Sequence, residues 1–143
     1  MKIALASDHG GVKLKEQIKG YLAETGIEAI ELGTNDEQSV DYPEYGQRCA
    51  EYVTSGLADR GIVLCGTGIG MCIAANKVQG ARCALLASDF MAEMAKAHND
   101  ANLIALGGRT TSYEDAIRWI GIWLNTEVCG DRHARRRQQL DAM

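Results

Sequence analysis

The segment Cys65-Gly66-Thr67-Gly68-Ile69-Gly70 holds the densest chemistry in this 143-residue chain. Three glycines in five residues let backbone N–H groups converge with no Cβ in the way, which makes a concavity suited to an anion. A helix starting directly after such a loop adds the positive end of its dipole. An electropositive loop draws the proton from an adjacent thiol, so Cys65 is a candidate base or nucleophile. The plain alternative is a small buried core cysteine, with glycines that only make a tight turn. A dinucleotide loop is a rival, but G-x-G-x-x-G fails in both registers, at Met71 and at Ile73. A P-loop fails as well, because Gly70 is not followed by Lys and Ser or Thr. Asp89, about 20 residues on, keeps a nucleotide-binding module open as an alternative.

Three further constellations carry reactive types. In Asp8-His9-Gly10-Gly11, Asp8 could hold a sugar hydroxyl and His9 could donate to a phosphate; Asp8 could equally cap the helix that follows. His98-Asn99-Asp100 closes a helix, where a histidine either complements the dipole or moves protons near neutrality. Arg109, Arg132 and Arg136 are a candidate phosphate clamp, since guanidinium groups pair with phosphate oxygens and 132 and 136 lie one helical turn apart. A solvated basic tail, or a weak RNA-binding one, is the competing reading of 132–143. Metal binding is not expected: the three histidines are scattered and no cysteine pair has zinc spacing.

The elements that must position these groups alternate along the chain. Apolar runs at 3–6, 27–32, 61–65, 81–87 and 102–106 read as buried strands. Helical spacing marks 11–25, 43–56 with Pro43 in its first turn, a short piece after Gly70 to Lys77, 89–98, 112–125 and the tail from 132. Strands alternating with helices predict a single three-layer α/β domain, a five-stranded parallel sheet with helices on both faces, Rossmann-like, over residues 1–143. Ligands in such sheets bind beyond the carboxyl ends of the strands, where Ser7–Gly10, Cys65–Gly70 and Gly107–Arg109 fall.

Composition sets the class. The chain is 46% hydrophobic and has no run approaching 18 apolar residues, so a globular core is expected and a membrane helix is not. The opening MKIALASDHGG is too short in its apolar part for a secretory signal, so Met1 is expected to begin the domain. Five cysteines without a CxxC pair suit reduced thiols in the cytosol, which disfavours both a disulfide framework and a thiol redox protein. A net charge of −4 speaks against nucleic acid as a partner.

Taken in order, Ser7-Asp8-His9-Gly10-Gly11, Val40-Asp41-Tyr42-Pro43, Cys65 to Gly70, Ala74-Ala75-Asn76-Lys77, His98 to Asn102, Gly107-Gly108-Arg109 and Arg132-His133 with Arg136 span almost the whole chain. In these segments the sequence resembles the type B ribose-5-phosphate isomerases, of the family that also contains galactose-6-phosphate isomerase subunits. The resemblance implies a cytoplasmic aldose-ketose isomerase of the pentose phosphate pathway that uses neither metal nor organic cofactor. It implies Cys65 as the base between C1 and C2, with Thr67 and the amides of Gly66, Gly68 and Gly70 at the enediolate. His98 would assist ring opening, Asp8, Tyr42 and Asn99 would hold hydroxyls, and His9, Arg109, Arg132 and Arg136 would grip the phosphate. It implies a homodimer or tetramer with sites at the subunit interface. Cys72, where relatives often carry serine, adds a second thiol near the loop, and Asp131 adds a negative charge beside Arg132. A six-carbon substrate, allose 6-phosphate or galactose 6-phosphate, is the alternative within the family.

Overall fold

Residue alternation along each strand builds two cores, one on each face of a single sheet. In a computed structural model of the chain, describing residues 1–143, β1 (Lys2–Ser7) sends Ile3 and Leu5 to one side and Ala4 and Ala6 to the other. β3 (Arg60–Cys65) and β5 (Leu103–Gly107) repeat the division: Ile62, Leu64, Ile104 and Leu106 join the first core, Val63, Cys65, Leu103 and Ala105 the second. Strands buried on both faces read as continuous apolar runs, as parallel strands under helices must.

The first core is closed by α1 (Val12–Glu24), α4 (Asp89–Ala97) and α5 (Tyr113–Asn125), through Leu14, Ile18, Leu22, Ala92, Trp119 and Trp123. Trp123 is fully buried, and its Nε1 donates to Ala101 O at 2.9 Å, so the large ring leaves no orphaned polar atom. The second core is closed by α2 (Pro43–Thr54) and α3 (Ile69–Asn76) through Cys49, Val53, Met71 and Ala75. Together with β2 (Glu28–Glu31) and β4 (Cys83–Leu85) the sheet has five parallel strands in the order β2-β1-β3-β5-β4. A last helix, α6 (Arg132–Asp141), has no buried residue and lies outside the layers.

The chain winds from β1 outward to β2, then crosses to β3 on β1's other side. That reversal opens a crevice between the carboxyl ends of β1 and β3, the place where doubly wound sheets take their ligands. No helix is long and apolar enough to cross a membrane.

Candidate active site

The β1–β3 crevice collects one group of the expected residues. Asp8 N–H donates to Leu64 O, tying the end of β1 to β3, and Asp8 Oδ1 accepts from Gly10 N–H at 2.8 Å. Asp8 therefore shapes its own loop and does not cap α1, whose N-cap is Gly11 without a side-chain bond. A Cβ built on Gly10 would lie 3.0 Å from Gly66 N, so the two loops are in contact. Val40 N–H donates to His9 Nδ1 at 3.2 Å. With Nδ1 accepting, the neutral ring carries its proton on Nε2 and has a donor to offer an anion.

The glycine loop stands beside them. Cys65 is 5% exposed, and Gly68 N–H donates to its Sγ at 3.1 Å. Gly68 manages this at φ +81°, left-handed backbone that side chains resist, with Leu85 and Leu106 packed against the site of a Cβ. Thr67 is exposed, and its Oγ1 accepts from Ile69 N–H at 3.3 Å. α3 begins at Ile69, inside the loop and ahead of the expected start after Gly70, so Gly68 is its N-cap and Ile69 and Gly70 open its first turn. A side chain at Gly70 would overlap the Tyr42 ring, which places Tyr42 over the loop. Arg109 closes the group: its N–H donates to Gly66 O at 2.9 Å, and its Nη1 would lie 3.1 Å from a Gly66 Cβ. Asp8, His9, Tyr42, Cys65, Gly66, Thr67, Gly68, Gly70 and Arg109 thus share one edge of the sheet.

His98, Asn99, Arg132 and Arg136 do not join them within the chain. α4 runs back along the sheet, so His98 ends it beside the start of β5, and the ladder from Gly61↔Leu103 to Cys65↔Gly107 separates the two ends by about 13 Å. α6 lies at this second end, and its Arg132 and Arg136 are exposed. Here the ring of His133 stacks on His98, with centroids 3.9 Å apart and planes 8° from parallel. Burial against that ring, then the positive charge of His98, Arg132, Arg136 and Arg137, holds the His133 imidazole below its usual range.

Several further residues hold these groups in place. Lys15 is fully buried, pairs with Glu31, and donates to Thr34 O at 2.6 Å and Asn35 Oδ1 at 3.0 Å, holding the loop that reaches Val40 and His9. Arg137 donates to His98 O, and Arg82 to Asn99 O. In α6, residues 133 and 137 share a stripe next to that of 132 and 136, a spacing readable in advance as a second face. Asp89 is tied to α5, its Oδ1 accepting from Trp119 Nε1 at 2.7 Å and Arg118 Nε at 3.0 Å. Cys72 Sγ lies 3.4 Å from Cys83 O and 3.6 Å from Asn76 Nδ2. Its thiol is lowered to about 7, chiefly by hydrogen bonding with the Cys83 side chain, whereas burial pushes Cys49 up to about 12.

The sequence model of the family described as Ribose/Galactose Isomerase matches residues 3–140. The chain is 39% identical over 142 residues to ribose-5-phosphate isomerase B of Escherichia coli, covering 99% of this chain and 95% of that one. Its fold is similar to that of Clostridium thermocellum ribose-5-phosphate isomerase B, with TM-score 0.97, 48% identity, and 99% and 96% of the two chains covered. A structure of Mycoplasma genitalium ribose-5-phosphate isomerase B with bound ribulose 5-phosphate matches with TM-score 0.94 and 35% identity, over 99% of this chain and 94% of that one.

Proposed function

Because the chain belongs to the ribose/galactose isomerase family, we propose that it interconverts ribose 5-phosphate and ribulose 5-phosphate at a site built by two copies of itself. One copy supplies the β1–β3 crevice. The other supplies the His98 turn and α6, because a single sheet holds the two sets at opposite ends. The assembly is a homodimer or a pair of such dimers, and it works in the cytosol, where its five free cysteines stay reduced.

In this reading the steps use the roles that the family resemblance implies for these residues. The partner's His98 shuttles a proton between the C1 hydroxyl and the ring oxygen, which opens the furanose to the aldehyde. Cys65, as thiolate, takes the proton from C2 while the C1 carbonyl oxygen gains the negative charge. The resulting enediolate is held by the Thr67 hydroxyl and amides of the glycine loop, an oxyanion-hole role. A proton passes between the two oxygens, Cys65 returns its proton to C1, and the C2 carbonyl of the ketose forms. Asp8, Tyr42 and Asn99 hold hydroxyls. The Nε2–H of His9 donates to the phosphate, and Arg109 with the partner's Arg132 and Arg136 neutralises it.

The observation that carries this reading is the Gly68 N–H bond to Cys65 Sγ, at the edge where Arg109 meets Gly66. A hydrogen-bonded sulfur beside unfilled amides and a guanidinium suits a base working on an anionic substrate. Turnover of ribose 5-phosphate by the parent and by Cys65→Ala, both in EDTA, tests it. The parent should be active with chelator present, and the variant should fall to background. Comparable activity in Cys65→Ala removes the cysteine from the role, and turnover of hexose phosphates alone removes ribose 5-phosphate as the substrate.

A further inference from the structure

Three successive carbonyls in the turn after α4 each accept from an arginine. Arg137 Nη1 donates to His98 O at 2.9 Å and also to Cys129 O at 3.0 Å. Arg82, just ahead of β4, donates through Nε to Asn99 O and through Nη2 to Asp100 O, both at 3.1 Å. The third nitrogen of Arg82, Nη1, holds Asp141 Oδ1 at 2.6 Å, at the last residue of α6.

The turn is tied within itself by Asp100 N–H to Lys96 O, Ala101 N–H to Ala95 O and the Lys96–Asp100 ion pair, and the arginines add bonds to its carbonyls. It follows a helix C-terminus, where carbonyls have no intrahelical partner. Asp100 sits at φ +41°, a region that a residue with a side chain enters at a cost. The arginines satisfy the carbonyls and fasten α6 to the same turn. His133 stacks on His98, Arg137 bonds its carbonyl, and Asp141 meets Arg82, so contacts run along about 12 Å of helix. Arg132 and Arg136 sit on the adjoining stripe of α6, exposed and uncommitted to this turn.

From this geometry we infer that Arg137 and Arg82 are positioning residues, which hold the phosphate-gripping Arg132 and Arg136 in register with His98 and Asn99. The inference rests on the isomerase reading above. Under it, the distance between the imidazole that opens the ring and the arginines that take the phosphate is set by these guanidinium-to-carbonyl bonds. A six-carbon phosphate places one more carbon between those points. The fixed register therefore favours the five-carbon substrate.

Arg137→Ala, Arg137→Lys and Arg82→Lys, compared with the parent, test it. In Arg137→Ala the KM for ribose 5-phosphate should rise about tenfold or more, because small displacements of a positioning group are costly. Inhibition by inorganic phosphate should change less than about twofold, because the clamp arginines themselves are present. The ratio of ribose 5-phosphate to allose 6-phosphate turnover should fall. With only three histidines in the chain, their ring protons give separate NMR signals. Those of His98 and His133 should move while His9 stays, and Arg137→Lys should recover part of the KM, since an ammonium reaches one carbonyl. Should Arg137→Ala fail to fold, Arg82→Lys carries the same comparison with the same expected signs. An active parent whose variants keep its KM and discrimination overturns this inference alone. So does loss of phosphate inhibition in step with KM, which would mean α6 has simply come away. A parent that turns over neither sugar phosphate overturns the isomerase reading, and this inference with it.

Discussion

His133 lies flat on His98, ring against ring at 3.9 Å, with three arginines of α6 contributing positive charge nearby. The unfolded chain takes up a proton at His133 near the ordinary value of 6.5, and the folded chain resists it. Below that pH the unfolded state binds more protons, so stability is lost on acidification and regained as pH rises. Melting temperature should fall from neutrality to about pH 5.5, and His133→Phe, which keeps a ring without a charge, should flatten the fall. An unchanged slope in that variant would assign the pH dependence elsewhere.

Of Cys49, Cys72 and Cys83, Cys72 should be the thiol that reacts first with iodoacetamide. Its pKa of about 7 makes the thiolate abundant above neutrality, so its labelling rate should climb through that region and level off beyond it. Cys49, at about 12, and Cys83, raised by its hydrogen bond with Cys72 and by burial, should stay unlabelled in the folded protein. Peptide mass mapping across a pH series reads all three. Labelling of Cys83 ahead of Cys72 would reverse the assignment of donor and acceptor between them.

Lys15→Met should destabilise the fold by about 3 kcal/mol, because Glu31 then keeps only the half-exposed Lys19 as its ion partner. The loss also frees Thr34 O and Asn35 from their common donor. The loop from there to Val40 should loosen, and KM should rise through His9 while Cys65 chemistry persists. Denaturant melts and steady-state kinetics on one preparation separate the two effects. A stable Lys15→Met protein with parent KM would show that the loop holds itself.

Two inactive variants should repair each other. Under the two-copy proposal, chains carrying Cys65→Ala and chains carrying His98→Ala would each lack one half of every site. Mixed dimers, formed by unfolding and refolding the two together, contain one site with both halves intact. Activity should return to roughly a quarter of the parent for equal, random mixing. No recovery would mean that one chain builds its site alone.

Much of this architecture is legible from residue types. Alternating apolar and amphipathic stretches place all five strands and six helices close to their observed bounds, because periods of two and 3.6 follow from backbone geometry. The fourth strand is the visible shortfall, expected over 81–87 and found only at Cys83–Leu85. Ala81 N–H turns back to Val78 O, and Ser88 leaves the strand to cap α4 through Met91 N–H, so local bonds claim both ends. The order β2-β1-β3-β5-β4 depends on pairings between distant segments, which composition does not encode.

The crevice residues are readable because glycine loops at strand ends are rare and chemically marked. Lys15, Arg82 and Arg137 are not, because each acts through backbone carbonyls of residues 8 to 39 positions away, and any sequence can present a carbonyl. The Cys72 thiol was visible by type, yet its acidity arises from Cys83 and Asn76, brought together only by the packing of α3 on β4.

A parallel sheet has a head and a foot, and under the two-copy proposal carbon chemistry would fall at the head of one copy and length measurement at the foot of the other. Lineages can therefore alter which sugar is accepted by substitutions in α6 and the turn beneath it, without disturbing the sulfur and its amides. Changes in substrate preference among relatives should accordingly concentrate in the last dozen residues and around residue 82, with the glycine loop inherited intact.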